Sequence, residues 1–156
     1  MKNFFNEELR MKNFFNEERI MKNEELPRGL RNCNPGNIRL SKDKWKGLRE
    51  VQTDREFFQF KEMKWGYRAM LKVLRNYRKL HGCQTLADMI RRYAPHREND
   101  TNAYINAVCQ KLGIPPFFVP DIDNKAAMCM IVSAMSFVEN GVAAEMEDIA
   151  EGWELL

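Results

Sequence analysis

From Trp65 onward, apolar residues return every three or four positions, the spacing of helices that each bury one face. The pattern predicts a helix over about Trp65 to His81, with Tyr67, Met70, Leu71, Leu74 and Tyr77 on one side and Gly82 as its stop. A second helix is predicted from Thr85, a natural N-cap, to Tyr93, with Leu86, Met89 and Ile90 apolar and Pro95 breaking it. A third spans about Asp100 to Leu112 and stops at Gly113. Pro115, Pro116 and Pro120 then make a rigid connector. The fourth, about Asn124 to Val138, is apolar on nearly every side, which predicts a central, buried helix ending at Glu139-Asn140-Gly141. Ala144 to Trp153 is the candidate for a last short helix. Before Trp65 the pattern changes. Arg28 to Arg39 is rich in Gly, Asn and Pro and is expected to be a structured loop, and Phe57, Phe58 and Phe60 fit a short extended segment or turn.

The first 26 residues form a separate unit. Met1 to Arg10 is nearly repeated by Met11 to Ile20 and, more briefly, by Met21 to Leu26. A ten-residue period is too short for a solenoid repeat, and the absence of Gly and Pro favours a helical tail that Pro27 ends. The expected organisation is therefore a repeated tail over 1–26 and one domain over 27–156.

Composition narrows the class further. With 44% hydrophobic residues, enough apolar surface exists for a packed core. The formal charge of +3 comes from interspersed acids and bases, which argues against a nucleic-acid partner and is compatible with an anionic polymer such as a cell wall. No apolar run is long enough for a membrane span, and charges throughout the first twenty residues leave no secretory signal. Cys33, Cys83, Cys109 and Cys129 form no Cys-x-x-Cys pair, and His81 and His96 stand apart, so neither a metal site nor a cofactor is expected.

Three places could carry chemistry. Glu139 sits at the C-terminal end of the apolar helix, where burial and the negative end of the helix dipole would both keep a carboxyl protonated, as a general acid requires. The competing reading, which the residue pattern alone favours, is a solvated carboxylate beside a chain turn. Glu98, next to Asp100 and Thr101 at a helix start, would be stabilised as an anion and could serve as an ionised partner, or the segment could simply cap the helix. The loop carrying Asn32, Asn34 and Asn37 offers amides suited to acetamido sugars, with Trp45, Trp65, Tyr93 and Tyr104 available for stacking. The competing account is turn geometry for the asparagines and core packing for the aromatics.

Together these residues resemble a known family. The pattern is Arg28-Gly-Leu-Arg-Asn-Cys-Asn-Pro-Gly-Asn-Ile-Arg39, Trp45-Lys-Gly47, Phe57 to Phe60, Gly66-Tyr-Arg-Ala69, Arg92-Tyr-Ala-Pro95, Glu98-Asn-Asp-Thr101, Tyr104-Ile105 and Glu139-Asn-Gly141. It is similar to phage and prophage proteins described as virion structural proteins or virion-associated peptidoglycan-degrading enzymes, and it spans about Arg28 to Trp153. Cys33 departs from that family, which usually has Asn there. A looser similarity is to bacterial glucosaminidases and lytic transglycosylases, whose catalytic Glu ends an apolar helix that precedes such a loop. Here the helix follows the loop. The resemblance therefore implies a mainly α, lysozyme-like α+β fold, circularly permuted, with a small β element near residues 37–60.

The resemblance further implies cleavage of the peptidoglycan glycan strand, of lytic transglycosylase, muramidase or glucosaminidase type. Glu139 and Glu98 are the catalytic candidates, and Asn32, Asn34, Asn37, Trp45, Tyr93 and Tyr104 the substrate-binding ones. The alternative is a non-catalytic phage structural or wall-binding protein, since a fold does not fix an activity. The implied partners are cell-wall glycan and other virion proteins, and the implied location is the virion, or the bacterial cytoplasm before release.

Overall fold

A computed structural model describes residues 26–97 and 100–156. The repeat at the N-terminus and Glu98 fall outside the described residues. Among the described residues six helices follow one another: α1 (Arg28–Arg31), α2 (Met63–His81), α3 (Leu86–Tyr93), α4 (Thr101–Leu112), α5 (Lys125–Asn140) and α6 (Met146–Glu154). The architecture is mainly α. Among the described residues no helix is long and apolar enough to cross a membrane, and no group of three His, Cys, Asp or Glu is placed to hold a metal ion.

The helix ends follow local chemistry. Thr85 accepts from the Asp88 amide while Asp88 accepts from the Thr85 amide, a reciprocal capping box at the start of α3. Asp100 and Asn124 cap α4 and α5 through Ala103 and Ala127. Gly82, Gly113 and Gly141 end α2, α4 and α5 in the left-handed conformation that glycine adopts without strain.

One expectation about the loop is corrected. Residues 28–31 form a single helical turn rather than loop, because Pro27 starts it without losing a bond and its carbonyl accepts from Leu30 and Arg31. The chain then crosses itself. Arg39 pairs antiparallel with Phe57, and Leu48 with Phe60, as isolated bridges rather than extended strands.

The core brings α2, α3, α4 and α5 together around Met70, Leu74, Met89, Ile90, Val108, Ile131, Val132 and Met135. Phe58, Phe60 and Ala69 make a smaller cluster under the crossed loop, with Trp45 and Trp65 packed on it. α6 lies along α2 so closely that a Cβ on Gly152 would stand 2.8 Å from the Arg68 nitrogen and 2.9 Å from the Lys64 carbonyl oxygen. α5 is not enclosed all round, as its composition suggests. Met130 and Phe137 are exposed, and the Lys111 ammonium covers the Phe137 ring at 4.0 Å. The four cysteines are free thiols, three of them buried.

Candidate functional site

The loop of residues 33–37 is pinned between two helices. Below it, Gly66 of α2 comes so near that a Cβ would lie 2.2 Å from the Cys33 carbonyl oxygen. Above it, Asn140 at the end of α5 donates to the Pro35 carbonyl at 2.8 Å and to the Ser136 carbonyl at 2.9 Å. Ser136 in turn hydrogen-bonds the Tyr67 hydroxyl, so the clamp reaches back into α2. Burial pushes that hydroxyl up to about 12.

Inside the loop, Asn34 has no exposed surface. Its amide bonds the Ile38 and Phe58 carbonyls, and its side-chain oxygen accepts from the Ile38 amide. Asn34 therefore holds the turn and has nothing left for a sugar, which corrects its expected role. Asn32 is also committed elsewhere. It bonds Asp54 and Gln59 in a partly buried network with Arg28, on a surface apart from Glu139. The Arg28 guanidinium beside Asp54 holds that carboxyl well below the usual range. Cys33 and Asn37 are the non-glycine residues with positive φ, at 49° and 47°. Asn tolerates that conformation better than Cys, so the departure at Cys33 falls on a strained position.

Asn37 is the asparagine that reaches the acid. Its Nδ2 donates to Glu139 Oε2 at 3.0 Å, and its Oδ1 is buried with no partner. Glu139 is partly covered at the end of α5. Burial raises its carboxyl above the ordinary value, while the Asn37 amide, the Tyr104 hydroxyl and the Arg39 charge each pull it back. Tyr104 is itself buried, and burial together with the nearby Glu139 raises its phenol well above the ordinary value. Tyr93 is raised in the same direction, first by burial, and it donates to the Gly36 carbonyl at 2.5 Å. Because Asn37 donates to the anion, Asn37→Ala moves the Glu139 carboxyl further upward. A carboxyl-carbon NMR titration of the two proteins reads that shift; an unchanged titration midpoint would break the link.

Glu139 opens onto a cleft of about 710 Å³. Asn37, Trp45 and Tyr93 also line it; Tyr104, whose hydroxyl donates to the Met135 carbonyl at 3.5 Å, does not. Sequence reasoning missed Asn76, Tyr77, Arg92 and Phe57, which also line it. Among the described residues, Asp43 is the other carboxylate in the lining. The site thus offers a partly buried carboxyl with a raised proton affinity, facing an aromatic and amide surface. That set can donate a proton to an oxygen held in the cleft.

The sequence is 38% identical over 134 residues to Protein P5 of Pseudoalteromonas phage PM2, a match covering 83% of this chain and 82% of that protein. The chain belongs to the family of this phage protein. No protein-family model matches it. Membership in the Protein P5 family makes the chain phage-associated, and the match is long enough to cover most of the described domain.

Proposed function

We propose that this member of the Protein P5 family is a virion-associated enzyme that cuts the glycan strand of bacterial peptidoglycan. The observation that supports it best is the Glu139 carboxyl. It ends an apolar helix, is held by Asn37, has a raised proton affinity and faces the cleft. Glu139 protonates the bridging oxygen between two amino sugars. The muramyl 6-hydroxyl then captures the positive centre and gives its proton to the Glu139 carboxylate, or the 2-acetamido oxygen captures it and water, deprotonated by the same carboxylate, opens the resulting ring. This route needs one essential carboxyl, whereas hydrolysis by two carboxylates would enlist Glu98. The substrate lies against Trp45 and Tyr93, with Asn37 at the scissile end. The fold that carries this chemistry is read as a lysozyme-like domain over 27–156, permuted so that the acid-bearing helix follows the loop.

Incubation with purified sacculi, followed by mass spectrometry of the soluble fragments, tests the proposal. New anhydro ends support transglycosylation, and new reducing ends support hydrolysis. Binding to sacculi with neither product leaves a wall-binding virion protein, the reading that the fold alone would also allow.

A further inference from the structure

Resting on the glycan-strand reading, we infer that the Tyr77–Arg92 wall of the cleft is a subsite for a carboxylate carried by the strand. A chain of acetamido sugars is neutral and gives a guanidinium no charged partner. Arg92 is nonetheless held in the cleft, its Cζ 5.4 Å from the centre of the Tyr77 ring. It stands in the last turn of α3, where a cation also suits the negative helix end. The preceding Arg91 turns back to Asp88 at 3.5 Å and serves α3 itself.

Several arginines in the domain are spent on internal acceptors. Arg78 bonds the Cys83 and Gln84 carbonyls, Arg49 the Phe60 and Arg31 carbonyls, and Arg28 the Asp54 carboxylate. Among the described residues Arg92 makes no hydrogen bond or ion pair; its contact is the face of Tyr77. A cation–π contact leaves the guanidinium N–H fork available, and a guanidinium can take a carboxylate in two parallel bonds. Arg39 also lines the cleft, 5.1 Å from the Phe57 ring centre, and shares its charge with Glu56 at 3.5 Å.

Peptidoglycan offers a carboxylate from two sources. Strands with stem peptides carry peptide carboxylates; strands stripped by an amidase carry the freed lactyl carboxylate. Neutral chitin oligomers carry neither. Binding of the full chain to these three probes at low salt tests the subsite. The expected result is that at least one acidic strand binds about tenfold more tightly than chitin oligomers, and that Arg92→Ala brings it to parity with them. The acidic strand that loses the advantage identifies the source. Arg92→Lys, which keeps the charge without the fork, retains part of the advantage. Equal binding of all three probes by the parent protein, or an advantage that survives Arg92→Ala, overturns the inference. Cleavage without a carboxylate preference defeats this inference alone. A carboxylate preference without cleavage defeats the glycosidase reading alone.

Discussion

Glu139→Gln leaves purified cell walls uncleared while the variant is at least as stable as the parent near neutral pH. The two halves of this expectation have one cause. A general acid contributes about 10²–10⁴-fold to a rate, and glutamine has no proton to give, so turnover falls by about that factor. Glutamine does have a side-chain oxygen that can accept from Asn37 Nδ2, so the hydrogen bond at 3.0 Å survives.

Stability moves the other way. Burial raises the Glu139 carboxyl in the folded chain, so the folded state holds its proton more tightly than the unfolded state does. The parent therefore loses stability as pH rises from the ordinary carboxylate value through the raised one, where folding must keep a charge in a poorly hydrated place. The glutamine variant has no such loss from this residue. Thermal melts of both proteins between pH 4 and pH 8 check the sign: the Tm difference should grow in favour of the variant as pH rises. Activity of the parent should fall over the same rise, because the acid must be protonated to act. Undiminished wall clearing by Glu139→Gln would remove Glu139 from the chemistry.

Gly66→Ala has the largest expected effect on folding. Its Cβ would lie 2.2 Å from the Cys33 carbonyl oxygen and 2.6 Å from the Pro35 ring, and one of these is backbone. Neither can rotate away, so the loop must lift off α2 or the helix must shift. Overpacking of this kind costs about 3 kcal/mol, which lowers Tm by roughly 10 °C in a domain of this size. Gly82→Ala separates crowding from backbone strain. Its Cβ meets nothing within 4 Å, but φ is 65°, so its cost is only about 1 kcal/mol. If Gly66→Ala melts no lower than Gly82→Ala, the loop is not seated on α2 as described. The loop carries Asn37, so lifting it also withdraws the donor from Glu139 and raises that carboxyl further.

How far the sequence could be read differs by element. The helices over Met63–His81, Leu86–Tyr93, Thr101–Leu112 and Lys125–Asn140 were legible to within two residues, because periodicity and capping are local. Thr85, Asp100 and Asn124 each bond an amide three residues on, and the glycines need only their own φ. The turn at Arg28–Arg31 was hidden behind the Gly and Asn around it. The half-exposed face of α5 was hidden because composition gives apolarity but not how many neighbours a helix has.

The position of Glu139 at the end of an apolar helix was present in the sequence itself, and so was the mainly helical class. Which asparagine would reach that acid was not. Asn32, Asn34 and Asn37 are chemically alike and neighbours in sequence, yet they face a salt-bridge network, the loop interior and the cleft respectively. Turn geometry separates them, and that geometry is set by Gly66 on one side and Asn140 on the other. Asn37 and Glu139 lie 102 positions apart, and Asn140 and Pro35 lie 105 apart. Contacts at such separations leave no periodic trace in a single chain. Local hydrogen bonding and side-chain periodicity determined the helices and their ends, while only the packing of α2, α5 and the crossed loop decided which side chains share the cleft.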